Sequence, residues 1–275
     1  MTEHHHGAGT VLPQAVTVVL ALLALAALHH LAVRRAVRHN PAQDWPAWRT
    51  ISFVTGLALL AVALVPPAPT GFPAHMAQHM LIGMYAPLAL VLAAPVTLAL
   101  RALPPAGARR ITAVLHSPPV RCAVHPVSAL LLSTGSLAVL YFTPLYNTAM
   151  SHPAGHWLMA AHFLLSGCLF AHAIAGPDPA PGRPGVPARL TCLGIAIAAH
   201  ALIAQALYGG FFADVHAPID QVRRGAEIMY YGGDIAELLL AAALVTTWRP
   251  ERRGGPPRRT PATAVTETGI SGRTG

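Results

Sequence analysis

The chain has 275 residues, of which 54% are hydrophobic and only 10% charged, where a soluble domain carries about a quarter charged residues. That deficit excludes an ordinary soluble domain and puts the chain in a membrane. The net charge of +8 rests on arginine alone, since there is no lysine, and the positions of the arginines, below, remove the main argument for a nucleic-acid partner.

Residues 1–10 are polar and include His4, His5 and His6, short for a purification tag and at most a weak exposed metal cluster. The first apolar run, 11–33, is long enough to span a bilayer and lacks the positive start of a signal peptide. It ends in His29-His30 and then Arg34, Arg35 and Arg38. A second run covers 51–65 and stops at Pro66-Pro67. The third, 75–100, contains Pro87 and Pro95, so kinks are expected there, with neighbouring helices satisfying the freed carbonyls. Further runs cover 127–142, 156–175, 190–210 and 227–248, and 249–275 reads as a disordered tail. The three cysteines, Cys122, Cys168 and Cys192, have no CxxC spacing and give neither a disulfide framework nor a thiolate metal motif.

Sixteen arginines fall in alternate connections and the tail: Arg34 to Arg49, Arg101 to Arg121, Arg183 with Arg189, and those from Arg249 onward. The other connections hold only Arg223 and Arg224. By the positive-inside rule this gives an all-α polytopic bundle of seven transmembrane helices, N-terminus outside and C-terminus inside. The expected organisation is a polar extracytoplasmic N-terminus (1–10), a seven-helix transmembrane domain (11–248) and a cytoplasmic tail (249–275).

The polar residues of the spans cluster by depth. In 75–84, His75 and His79 stand four apart, as do Met76, Met80 and Met84, so on a helix they form adjoining stripes. Imidazole suits copper and zinc, and thioether selects Cu(I); simple packing also accounts for methionine in a core. His152 and His156 repeat the spacing at the same outer level, Met159 continues their stripe, and His162 lies deeper on another face. Asp234 and Glu237 share a face of the last span, below Glu227 at its lip, and are the only acids within any span. A carboxylate there is costly unless paired, protonated or metal-bound. It is either a neutral hydrogen-bonding acid, with Tyr230 or Tyr231 for example, or part of a polar site facing the outer compartment. Structural roles suffice for His29, His30, His116, His125, His172, His200 and His216.

His75-Met76-x-Gln78-His79-Met80-Leu81, with Ala86-Pro87, Ala94-Pro95 and Leu100-Arg101-Ala102-Leu103-Pro104, resembles the signature of the multi-span CtaG-type cytochrome c oxidase assembly factors associated with caa-type oxidases. Two further blocks fit: His156 to Phe170 with Gly176-Pro177-Asp178-Pro179, and Asp220-Gln221 through Met229 to Gly233-Asp234. Tyr230-Tyr231 departs from the tryptophan the family often has after Met229. The resemblance covers roughly residues 50–248. It implies a non-enzymatic assembly factor in a bacterial plasma membrane, with cytochrome c oxidase subunits and the lipid bilayer as partners, and plausibly copper as cargo. The sequence offers copper a candidate site at His75, His79, Met76, Met80, His152, His156 and Asp234.

Three other functions compete. A metal-free scaffold for oxidase subunits would use the same histidines structurally. A b-type haem carrier would pair His79 or His162 with His200 as axial ligands. A transporter lacks the expected inverted repeat or broken half-helices. No GxSxG, HExxH or P-loop motif points to a classical hydrolase or nucleotide enzyme.

Overall fold

The computed structural model describes residues 8–65 and 70–247, all helix and connecting turns with no strand among them. The expectations for His4–His6, Pro66-Pro67 and the tail beyond 247 fall outside the described residues. In chain order the helices are α1 (Ala8–His39), α2 (Ala47–Leu64), α3 (Phe72–Ala102), two short helices α4 (Pro105–Leu115) and α5 (Pro118–Ala123), α6 (Pro126–Tyr141), a one-turn α7 (Leu145–Met150), α8 (Pro153–Ala175), α9 (Val186–Gly209) and α10 (Ile219–Thr247). Six of them are long and apolar enough to cross a membrane: α1, α2, α3, α8, α9 and α10. The expected fourth span, α6, is apolar but shorter. At 1.5 Å per residue it is about 24 Å long, against about 30 Å of hydrocarbon. The all-α membrane bundle is therefore present.

The helices bring the arginine-poor connections, 142–152 and 210–218, to one end, here called the upper end. There the Asp214 N–H donates to the Tyr141 carbonyl (2.9 Å), and Asn147 donates through Nδ2 to the Asp214 carbonyl (2.8 Å) and accepts from the His216 N–H (3.0 Å). The arginine-rich connections meet at the lower end.

The central element is α3. Its upper turns, Phe72–Met80, lie against α10; its middle lies against α8 and α2; its last turns lie against α1. Lipid tails are as apolar as leucine, so packing and interhelical hydrogen bonds hold such a helix, and small residues let backbones approach. Gly167 on α8 meets both needs, since a Cβ there would overlap the Gly83 carbonyl oxygen and the Pro87 ring of α3. Three long-range bonds fix the register of α3. Gln78 Nε2 donates to the Ala63 carbonyl at the end of α2 (2.8 Å), Ser52 Oγ to the Ala89 carbonyl (2.6 Å), and Tyr85 Oη to the Gly232 carbonyl of α10 (2.8 Å).

The kinks expected at the two prolines take different forms. Pro87 has no N–H and its ring crowds the carbonyl four residues back, which is Gly83. The helix absorbs this by widening to π geometry over Leu81–Tyr85. A second π segment, Leu131–Gly135, interrupts α6 with no proline inside it. Before Pro95 the chain breaks outright: Ala94 takes a left-handed conformation (φ 55°, ψ 57°) although fully buried. Such a residue costs about 1–2 kcal/mol.

The break is held from the connection that follows α8. The buried Asp178 carboxylate accepts from the Val96 N–H (3.0 Å), the Thr97 N–H (2.7 Å) and Thr97 Oγ1 (2.6 Å), capping the new helical turn as an N-cap side chain would. Arg183 donates to the carbonyls of His172, Gly176 and Asp178, and Arg189 to that of Ile174. Both guanidiniums thus occupy the carbonyl-rich end of α8, where a cation is favoured. Gly176-Pro177-Asp178-Pro179 and Ala94-Pro95 are two halves of one joint.

Candidate functional site

His75 and His79 enter the bundle interior on adjoining turns of α3, both almost fully buried. The His75 Nε2 lies 3.3 Å from Tyr141 Oη, and Tyr141 Oη also lies 3.9 Å from Met76 Sδ. Tyr146 on α7 covers His75 with a ring-centroid separation of 5.0 Å. Burial pushes the Tyr146 hydroxyl up to about 12, so it stays a neutral phenol. His79 packs edge-on against Phe163 of α8, with centroids 4.2 Å apart.

Three imidazoles meet at a small upper cavity of about 10 Å³, lined by His75, His79 and His156 with Gln78, Met159 and Phe163. Among the described residues, His75 Nδ1, both nitrogens of His79 and His156 Nδ1 are buried with no hydrogen-bond partner. A buried polar group without a partner costs about 1–3 kcal/mol, so this concentration of ring nitrogens is expensive in the absence of a ligand. Neutral imidazole nitrogens with a thioether in the wall are a suitable donor set for Cu(I). No group of three His, Cys, Asp or Glu side chains among the described residues is close enough to hold a metal ion as the side chains stand.

Met76 and Met80 are buried but do not line the cavity: Met76 lies against Tyr141 and Met80 in packing range of Gly232 on α10. The structure separates two further expected residues, His152 and Asp234, from this cluster. His152 is exposed and is the N-cap of α8 (φ −131°), its Nδ1 engaged by Ser151 Oγ (2.8 Å). It therefore lies before the helix and does not continue the stripe of His156. It lines a broad apolar groove between α6 and α8 that also holds His162. Asp234 is half-buried and lines neither the upper cavity nor the chamber below it.

That lower chamber, about 40 Å³, begins on the other side of His79. It is lined by His79, Met84, Ser133, Thr134, Ser166, His200 and Glu237, among apolar neighbours. Both π segments contribute to it, Met84 from α3 and Ser133 with Thr134 from α6. His200 and Glu237 are buried, and His200 Nδ1 stands 3.9 Å from Glu237 Oε1. The His200 ring occupies the space a Cβ on Gly233 would fill. The chamber has room for a few water molecules at about 10–15 Å³ each, far less than a porphyrin needs. His162 is engaged elsewhere, its Nε2 2.9 Å from Ser136 Oγ. The geometry thus gives no support to a haem between His200 and either His79 or His162. Tyr141 and Tyr146 had no sequence signal beyond their place at the end of an apolar run.

The model of the cytochrome c oxidase caa3 assembly factor (Caa3_CtaG) family matches residues 27–251. Among curated proteins, the chain is 36% identical over 246 residues to uncharacterised proteins of Mycobacterium bovis and Mycobacterium tuberculosis, covering 79% of this chain and 37% of each relative. It is 35% identical over 243 residues to one of Mycobacterium leprae, covering 78% and 36%. The chain spans a little over a third of the length of these relatives. No solved structure matches it.

Proposed function

Since the chain belongs to the cytochrome c oxidase caa3 assembly factor family, we propose that it assists maturation of an oxidase copper centre, taking up copper at the upper end of the bundle. The observation that carries this reading is the convergence of His75, His79 and His156, with unpartnered buried nitrogens, on one cavity. Met159 supplies a thioether in its wall, and the client is an oxidase subunit in the same bilayer. The arginine asymmetry supports reading the upper end as the outer face of a bacterial plasma membrane, the side from which an externally exposed copper centre is loaded. His152 and Asp234 stand outside the cavity and serve at most as approach groups.

Copper counted per purified protein tests the site. His156→Ala should lower Cu(I) affinity at least tenfold, whereas His152→Ala should leave it within about twofold. Equal effects from the two would remove the cavity from the proposal. The orientation has its own test. A reporter fused after Arg253 should be active only inside the cell and one inserted in 68–70 only outside; either reversal would put the cavity on the wrong face.

The second reading, a metal-free scaffold for oxidase subunits, draws on the absence of a closed three-residue metal cluster among the described residues. It expects oxidase subunits to co-purify with a His75→Ala/His79→Ala/His156→Ala variant and to mature normally in its presence.

A further inference from the structure

Two cavities that the copper reading does not use lie end to end along α6. At the lower end an open pocket of about 620 Å³ is formed by α5, the first turn of α6 and the 181–182 turn after α8, with Arg121, His125, Val127 and Ser128 in its wall. Above it runs the apolar groove between α6 and α8, about 940 Å³, walled by Leu131, Val139, Leu140 and Leu158 among others. Val127 and Leu131 are exposed and four residues apart on α6, so they stack on one side of the helix and join the pocket to the groove.

The pocket suits an anion. The Arg121 guanidinium has no hydrogen-bond or ion-pair partner among the described residues, and no carboxylate lines the pocket. It lies over Gly182, whose left-handed conformation (φ 78°) and missing side chain leave the space; a Cβ there would come within 3.2 Å of Nη2. His125 Nδ1 accepts the Val127 N–H (3.3 Å), so the neutral ring carries its proton on Nε2 as a further donor. Ser128 adds a hydroxyl. The groove suits an alkyl chain. Its polar side chains are engaged within the protein: His162 with Ser136, Thr148 with the Pro144 carbonyl, and His152 with Ser151. From Leu131 to Leu140 it follows α6 for about 14 Å, against about 15 Å for the hydrocarbon of one leaflet.

We propose that this side of the bundle binds one anionic phospholipid, its phosphate at Arg121, His125 and Ser128 and an acyl chain along the α6–α8 groove. Basic pockets between membrane helices hold anionic headgroups by this chemistry, and arginine pairs with phosphate through two parallel N–H groups. Charge selects the headgroup. A zwitterionic lipid would bring an ammonium group into a pocket that has no carboxylate to receive it and already holds Arg121. Shape selects a lipid over a free anion, since inorganic phosphate would use the pocket and leave the groove unfilled. The site is independent of the copper reading and shares no donor with it.

The test is native mass spectrometry of the full chain in detergent, titrated with dioleoyl phosphatidylglycerol, dioleoyl phosphatidylcholine or inorganic phosphate. One phosphatidylglycerol should bind the wild type about tenfold more tightly than phosphatidylcholine, and Arg121→Gln should remove most of that preference. Arg109→Gln takes away an exposed arginine of α4 outside the pocket and should leave the preference intact. Val139→Trp, which narrows the groove at an exposed position, should weaken the dioleoyl lipid and spare dihexanoyl phosphatidylglycerol. Arg121 and Val139 are both exposed, so each variant should melt with the wild type, which shows that it is folded. Equal losses from Arg109→Gln and Arg121→Gln would reduce the binding to general surface charge and overturn the site. Inorganic phosphate displacing dioleoyl phosphatidylglycerol at equal concentration would make the pocket a site for a free anion. Val139→Trp without effect on the dioleoyl lipid would remove the groove from the site.

Discussion

His79→Leu should raise the melting temperature of the purified protein and at the same time abolish copper retention and oxidase maturation. The two effects have one cause. Both nitrogens of the His79 ring are buried without a partner among the described residues, and each such group costs about 1–3 kcal/mol. Leucine keeps most of the volume against Phe163 and removes the unpartnered atoms, so the expected gain in the ligand-free protein is about 1–2 kcal/mol. The lost ring lines both cavities, so Cu(I) affinity at the upper one should drop at least tenfold. Residues kept for binding at the expense of stability behave this way, whereas a histidine kept for packing does not. His116→Ala is the control, because His116 sits on the lower connection with its Nδ1 2.7 Å from the Thr112 carbonyl oxygen and reaches neither cavity. It should leave copper content, oxidase spectrum and melting near wild type. A destabilised His79→Leu protein that still supports full oxidase activity would make His79 a structural residue and leave the scaffold reading in possession.

The bundle was legible in the sequence because its spans are nearly continuous apolar runs with arginines marking their lower ends. The stripe of His75 and His79 was legible too, since residues four apart on α3 rise along one face. The same arithmetic failed for His152 and His156. It holds only if both residues are helical, and His152 is the extended N-cap outside the first turn of α8. Asp234 and Glu237 are three apart, which separates their directions by about 60° on a helix; that is enough to bury Glu237 in the chamber and leave Asp234 half-exposed on its flank. His200 was readable as a mid-depth polar residue, but not as part of the chamber wall. Its setting depends on Gly233, Glu237 and the π turns of α3 and α6, which are brought together only by helix packing. The π segment in α6 has no proline to announce it. What the sequence shows is periodicity along one helix; what it hides is which faces meet.

Asp178→Ala should be the most destabilising single substitution at the lower end of the bundle, although Asp178 lines neither of the two cavities. The carboxylate takes two backbone N–H groups and one hydroxyl where α3 restarts after the left-handed Ala94. Removing it strands the Val96 and Thr97 donors in a part-buried site, at about 1–3 kcal/mol each, and leaves the strained Ala94 without the cap that offsets it. A loss of about 3–4 kcal/mol is expected from these terms, enough to lower membrane levels and the melting temperature together. Asp178→Asn keeps one acceptor and should recover roughly half of the loss. Because the joint is separated from the histidines by most of α3, the Cu(I) affinity of the protein that does fold should match the wild type, with the effect confined to yield and melting. An Asp178→Ala protein that melts with the wild type would show that the break before Pro95 holds itself. Normal yield with lost copper would instead mean that the joint is coupled to the upper cavity through α3, with the π segment at Leu81–Tyr85 as the element able to transmit the shift.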